Sequence, residues 1–252
     1  MVDIGTGLAL LGSAQLVQKL LGPTAEYLGE GLRDLAQKRI MNIRRIFEKA
    51  TEKLGHDFDK DGVVPPRVLW EVIGEGSFCE DELEADYFSG VLASSRTPEG
   101  RENRGATYMK MIARLSNYEI RAHYIFYTAV RKLYAKKYHT FTPDLRNRMR
   151  TLIPTGPFLH VMDLGEYQEA RDAGVISQSV WGLARENLIQ DFSYDDKNIT
   201  FSPTVMGVQL YLWAQGKGRH HESYLLDTEQ NFTERAGIIV PEGCISSEDI
   251  QT

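Results

Sequence analysis

The chain has 252 residues, of which 42% are hydrophobic, and its formal net charge is -6. This length and apolar content suffice for one large or two small domains with buried cores, and they exclude a disordered polymer or a miniprotein that needs disulfides to fold. The net charge argues against a protein that is basic throughout, as many nucleic-acid-binding proteins are.

The two cysteines, Cys79 and Cys244, lie far apart, and neither belongs to a CxxC pair or a Cys/His cluster. This pattern argues against a disulfide framework or a zinc site and favours a reducing compartment. The first residues, MVDIGTGLALLGSAQLV, carry Asp3 where a secretory signal has Lys or Arg, and they lack a clear cleavage site. The sequence therefore predicts a cytoplasmic protein.

The first predicted element is an apolar, glycine-containing segment from Ile4 to Leu21, in which Lys19 is the only charged residue. As a helix it would span about 27 Å, close to the hydrocarbon core of a bilayer at roughly 30 Å. Two interpretations stay open: conditional insertion into the inner membrane, or packing in a homo-oligomer interface or on the body of the chain. Either would use Ile4, Gly5, Leu8, Leu10, Leu11, Gly12, Leu16, Val17, Leu20 and Leu21.

After Gly22-Pro23, residues 24–54 repeat apolar side chains at helical spacing, which predicts a long amphipathic helix. Between Arg33 and Lys53, seven basic residues outnumber three acidic ones. A basic stretch directly after an inserted segment would hold this side of the protein in the cytoplasm. The alternative is an ordinary solvated helix face.

Three more helical regions are predicted in the body of the chain. PPRVLWEVIGEGS predicts a short helix that begins at the prolines. Residues 80–93 start with acidic residues and then place apolar side chains on one face. Residues 105–138 have the strongest helical pattern, with a boundary at Ser116-Asn117 that divides them into two helices.

The composition changes after about residue 140, which suggests a second unit. VWGLARENLIQ predicts a helix, DFSYDDKNITFSP two short strands around a turn, and TVMGVQLYLWAQG a closing helix that ends at Gly216. We therefore expect a mainly α protein, a helical bundle with a small winged-helix-like module and an apolar N-terminal segment. The expected divisions are residues 1–22, 23–140, 141–216 and a tail, 217–252, which lacks a sustained period and is expected to be loose or to depend on a partner.

Residue patterns that carry chemistry are weak. Residues 57–62 match the start of a calcium loop, but its last position is Val68 where such loops have glutamate, so a polar surface turn is the better interpretation. Cys79 lies among acidic residues that disfavour a thiolate, and His220-His221-Glu222 lacks a recognised metal-binding spacing. The sequence predicts no catalytic residues, no metal site and no cofactor, and hence a protein that is not an enzyme.

Charge is strongly segregated along the body. Residues 71–86, the acidic run, hold seven acidic residues and no Lys or Arg, whereas residues 114–150, the basic stretch, hold nine basic residues and two acidic ones. Cations interleaved with aromatic rings suit phosphates and stacked bases, which predicts a nucleotide or single-stranded nucleic-acid site. The alternative is that the basic stretch pairs with the acidic run, within the chain or between subunits. The candidate ligand-binding residues are Arg121, Arg131, Lys132, Lys136, Lys137, Arg146, Arg148, Arg150, Tyr134 and Tyr138.

Three motifs carry a resemblance to a known family. They are GPTAEYLGEGLRDLAQKRIMNIRRIFEKATEKL, VVPPRVLWEVIGEGSFCEDELEADYFSGVLASS and YMKMIARLSNYEIRAHYIF. In this order they resemble the abortive infection alpha (Abi-alpha) family of bacterial proteins, over roughly residues 22–215.

The resemblance implies a role in anti-phage defence, often through arrest of the infected cell, and it implies no catalytic residues. Together with the apolar segment, it leads us to expect an oligomeric effector that inserts into the inner membrane, restrained by its body and by a nucleotide or single-stranded nucleic acid. A soluble sensor or adaptor that binds nucleic acid or a companion defence protein is the alternative.

Overall fold

The N-terminal half of the body is built from helices that follow one another with short connections. In the computed structural model, which describes residues 24–164, 168–232, 234–235, 237–246 and 249, the first helix, α1, spans Thr24–Leu54. The next four are α2 (Pro66–Gly74), α3 (Glu82–Ser95), α4 (Gly105–Arg114) and α5 (Asn117–Tyr134). Short 3-10 turns cover Gly55–Asp59 and Gly76–Phe78.

The predicted helices in this half are confirmed, with ends that differ from the predicted ones by up to four residues, and local side chains explain where they start. The Asp81 carboxylate accepts hydrogen bonds from the backbone amides of Leu83 and Glu84 and so caps α3. Ser116 and Glu119 form a reciprocal capping box at the start of α5, in which each side chain accepts a hydrogen bond from the backbone amide of the other residue. The strong helical pattern of residues 105–138 is therefore divided at the position that the sequence predicts.

The C-terminal half combines helices with a small antiparallel sheet. Its elements are α6 (Pro143–Arg148), β1 (Thr151–Pro154), α7 (Thr155–Val161), α8 (Glu169–Arg185), β2 (Ile189–Tyr194), β3 (Asn198–Pro203), α9 (Val205–Ala214) and β4 (Ile245–Ser246). The strand order is β2-β3-β1-β4. The mainly α fold class and the predicted order of helix, hairpin and helix are confirmed, but the sheet has two strands beyond the hairpin.

Helix α9 joins the two halves of the body. It is apolar on all sides, as is typical of a helix buried on every face, and it packs against α3 and α5. Its contact with α3 is so close that a Cβ added at Gly90 would lie 1.8 Å from the carbonyl oxygen of Ala214. The buried apolar residues form one continuous cluster from Ile46 to Ile238. The boundary expected near residue 140 therefore does not separate two cores.

The C-terminal tail (residues 217–252) is not loose where the structure describes it. A 3-10 turn at Glu222–Leu226 buries the side chains of Leu225 and Leu226, and β4 then pairs with β1. The expectation of a loose tail is therefore wrong for these parts. Its sequence has no helical or strand period because the elements that bury it and pair with it lie far away in the chain.

The expected membrane segment, residues 4–21, lies outside the described residues. Within the part of the chain that the structure describes, no helix is long and apolar enough to cross a membrane.

Candidate functional site

The acidic run pairs with helix α1. Arg45 bonds to Glu82 at 2.9 Å, and Lys49 bonds to Asp86 at 2.9 Å. Among the described residues, no ion pair joins the acidic run to the basic stretch, so the predicted pairing does not occur there within the chain, and pairing between subunits stays a prediction. The cations at the end of α1 also do not form a freely solvated face, because they fasten this helix to the start of α3.

Three tyrosines of the basic stretch lie in the core and not on its surface. Tyr127 and Tyr134 are fully buried, and Tyr124 is 3% exposed. The Tyr134 hydroxyl donates to the backbone carbonyl of Arg150 at 2.8 Å, and half-buried Tyr138 stacks on the Tyr134 ring. The prediction that Tyr134 and Tyr138 offer faces for base stacking is therefore wrong for Tyr134. One face of the Tyr138 ring is covered by the Tyr134 ring.

Arg131, in the last turn of α5, is covered by the C-terminal tail. Its guanidinium donates to the backbone carbonyl of Gln230 at 3.0 Å and lies over the ring of Phe232, with 4.3 Å between the guanidinium carbon and the ring centroid. A cation over an aromatic face is attracted by the ring's negative charge distribution. The tail therefore holds this candidate cation through a peptide carbonyl and an aromatic side chain.

Two lysines of the basic stretch bond to carboxylates of the tail. Lys132 lies 3.0 Å from Glu234, and Lys137 lies 2.7 Å from Asp249. All four side chains are partly exposed, so solvent screens these pairs and each contributes little to stability. The tail thus occupies the basic stretch without closing it off from water.

The other candidate cations have different surroundings. Arg121 donates to the backbone carbonyl of Val161 at 2.7 Å and does not meet the tail. Arg146 is half-buried. Three more are exposed and form no ion pair with any residue that the structure describes: Lys136, Arg148 and Arg150. The described residues of the tail therefore reach three of the eight predicted cations.

No protein-family model, no curated protein and no solved structure matches this chain. The resemblance to the abortive infection alpha family thus stays a prediction from the three motifs.

A charged cleft of about 310 Å³ lies between α1, α3, the end of α9 and the tail. Lys53 lines it and donates to the carbonyl of Ala214, in the last turn of α9, at 3.0 Å. Burial, followed by the positive charges of Lys49 and Arg235, lowers the pKa of Lys53 to about 8. At about pH 7.4 roughly one fifth of this amine is therefore neutral, a much larger fraction than for an ordinary lysine, and such lowered pKa values are more common in functional clefts.

Arg235 of the tail lies across this cleft. Its guanidinium pairs with the Asp86 carboxylate and donates to the carbonyl of Glu82 at 2.9 Å. Its backbone amide donates to the Tyr124 hydroxyl at 2.7 Å. The tail is therefore attached on both sides of α5: to the basic stretch through residues 230–234, and to the acidic run through Arg235.

A buried polar chain lies beneath the cleft. The Tyr87 hydroxyl is 2.7 Å from His123 Nδ1, and His123 Nε2 is 3.1 Å from the carbonyl of Gly207. Because a carbonyl only accepts, Nε2 carries the proton and Nδ1 accepts from Tyr87. Burial lowers the pKa of His123 to about 3 and raises that of Tyr87. Both groups are therefore neutral at physiological pH, and they rigidify the core.

A broader depression, about 760 Å³, lies between the start of α5 and α8. Exposed Trp181 lines it together with Arg114 and Arg185. Both arginines already face carboxylates: Arg114 is 2.6 Å from Glu186, and Arg185 is 3.6 Å from the buried Glu119. Their charges are therefore partly neutralised within the chain.

The weaker sequence candidates have structural explanations. In the loop resembling a calcium site, the Arg96 guanidinium donates to three backbone carbonyls, those of Asp57, Phe58 and Lys60. Burial, followed by the charge of Glu84, raises the pKa of Cys79. No cluster of three metal-ligating side chains occurs among the described residues.

Sequence reasoning missed the tail as part of the site. Its residues 227–252 hold six carboxylates and one arginine, the opposite balance to that of the basic stretch. That contrast in charge could have indicated that the tail pairs with the basic stretch. The contacts themselves join positions about 100 residues apart, which no local pattern indicates.

Proposed function

We propose that this protein is an effector of bacterial anti-phage defence that acts on the inner membrane through residues 4–21 as an oligomer, while its folded body restrains it. The observation that carries the proposal is the sequence of that segment, with one charge in eighteen residues, directly before helix α1. The resemblance to the abortive infection alpha family supports the role in defence.

Helix α1 supplies the mechanical link between this segment and the body. It has 31 residues, so it is about 46 Å long. Its C-terminal half is held by side-chain bonds: Asn42 donates to the carbonyl of Ser77, Arg45 bonds to Glu82, and Lys53 donates to Ala214. The folded body therefore sets the direction of α1, and a change in these bonds would alter where the segment is presented.

Oligomerisation follows from the composition of the segment. A single helix does not make a pore, but several helices with small residues pack closely in lipid. Gly5, Gly7 and Gly12 are such residues. A ligand or companion protein controls insertion only if it binds the inserted and resting states with different affinities.

Toxicity on expression in bacteria tests the proposal. Deletion of residues 1–21 is expected to abolish toxicity and to leave the circular dichroism spectrum and melting of the body unchanged. Within the full chain, Leu11→Asp is expected to reduce toxicity strongly, because a carboxylate at the centre of a membrane helix costs about 3 kcal/mol. Leu11→Ala is the matched control and should remain toxic. Undiminished toxicity of the truncated chain would contradict membrane action by this segment.

A second candidate function is that of a sensor or adaptor that binds a polyanion or partner. It is favoured by the exposed cations Lys136, Arg148 and Arg150, which form no ion pair with any described residue. Salt-dependent retention of a single-stranded oligonucleotide, lost when Lys136 and its basic neighbours are changed to Glu, would support nucleic-acid binding.

A further inference from the structure

We propose that the end of helix α5 is a docking surface for an acidic peptide segment with an aromatic residue, presented by another protein, and that the C-terminal tail occupies this surface in the free chain. The surface consists of Arg131, Lys132 and Lys137. This inference goes beyond the proposed function and concerns the folded body alone, so it does not depend on membrane activity.

The bonds at Arg131 show which chemistry the surface recognises. A peptide carbonyl, that of Gln230, accepts from the guanidinium at 3.0 Å, and the Phe232 ring lies under its other side at 4.3 Å. The Arg131 Nε atom is buried and has no acceptor among the described residues. An arginine with these two contacts can bind an extended peptide that supplies a backbone carbonyl and an aromatic side chain.

The two lysines add a preference for acidic segments. Glu234 and Asp249 lie on Lys132 and Lys137 at 3.0 and 2.7 Å. These pairs are exposed, so they contribute little energy and exchange readily with another carboxylate. Phe232 is only partly buried. The tail therefore resembles a ligand that is held mainly by being part of the same chain, at a high effective concentration.

A peptide fits this surface better than a nucleic acid does. Of the two rings predicted to stack on bases, Tyr134 is fully buried, and the Tyr134 ring covers one face of Tyr138. The groups that now occupy the surface are a backbone carbonyl, a phenyl ring and carboxylates, all of which belong to a polypeptide.

The test uses a fluorescent peptide with the sequence of residues 227–237 and measures its anisotropy with the full chain. The peptide should bind the natural chain weakly, because it competes with the attached tail. A chain with Phe232→Ala and Glu234→Gln should bind it about tenfold more tightly, because its own tail is weakened. Adding Arg131→Ala should reverse that gain. Glu234→Gln alone changes an exposed side chain and serves if the double variant folds poorly.

Arg148→Ala in the same tail-weakened chain is the matched control, since it removes a charge from the basic stretch at a residue that forms no bond to the described part of the tail. It should change the affinity by less than about threefold. Equal affinity of the natural and tail-weakened chains would overturn the proposal. An equal loss from Arg148→Ala and Arg131→Ala would also overturn it, because binding would then be general electrostatic attraction. So would an oligothymidylate that binds in an Arg131-dependent way while the peptide does not.

Discussion

The stability of the folded body should depend on pH through His123. This side chain is fully buried between Tyr87 and Gly207, and burial lowers its pKa to about 3. In the unfolded chain its pKa is about 6.5. Below that value the unfolded state binds a proton that the folded state does not accept, so the free energy of unfolding falls as the solution becomes more acidic.

The expected magnitude follows from the two pKa values. One proton bound on unfolding lowers stability by about 1.4 kcal/mol per pH unit, which amounts to about 2 kcal/mol between about pH 6.5 and pH 5. No charged group is a cause of the His123 shift, so salt should change this loss little. Above about pH 7.5 the His123 contribution should be constant.

Urea unfolding followed by circular dichroism, at about pH 7.5 and about pH 5, measures this effect. The natural chain is compared with His123→Gln, which cannot titrate and still offers a donor to the Gly207 carbonyl. The natural chain should lose about 2 kcal/mol more than the variant on acidification. Equal losses in the two proteins would refute the conclusion that the fold holds His123 neutral.

Two further predictions concern the contact between α3 and α9, and the Lys53 amine in the charged cleft. Gly90→Ala should destabilise the protein by about 3 kcal/mol or prevent folding, because the new methyl group would meet backbone atoms of Ala214. Gly174→Ala is the comparison, because a Cβ added at this helical position would have no neighbouring atom within 4 Å. It should be neutral or should stabilise the protein by about 0.5–1 kcal/mol, and thermal melting measures both variants. A similar loss for both variants would contradict the close approach. Labelling of Lys53 by an amine-reactive reagent, measured by peptide mass spectrometry, should rise with pH and level off above about pH 8, since the pKa of this amine is lowered to about 8. A rate that rises unchanged to about pH 10 would show an ordinary lysine.

The parts of the fold that the sequence predicts well are those with a local cause. Ser116 and Glu119 cap each other within one turn, and Pro66 starts α2 because proline favours the first helical position. Gly216 follows α9 with φ of +75°, the left-handed conformation that glycine adopts easily at a helix end. The Asp195 turn between β2 and β3 is also local, because its carboxylate accepts from the amides of Lys197 and Asn198.

The missed parts depend on contacts between distant residues. Strands β1 and β4 have four and two residues, too few to show an alternating pattern, and they form only because β1 pairs with both β3 and the tail. The aromatic residues of the basic stretch were misinterpreted for a related reason. Tyr124, Tyr127 and Tyr134 repeat at helical spacing, and this spacing placed them on the buried face of α5, while the arginines and lysines between them face outward or reach the tail.

Dye release from lipid vesicles of bacterial composition tests the central claim most directly. The full chain and a chain that begins at residue 22 are added at equal concentration to vesicles loaded with a self-quenching dye. We expect release by the full chain, rising steeply with its concentration as oligomers form, and none by the truncated chain. Equal release by both, or no release by a full chain that is toxic in cells, would contradict it.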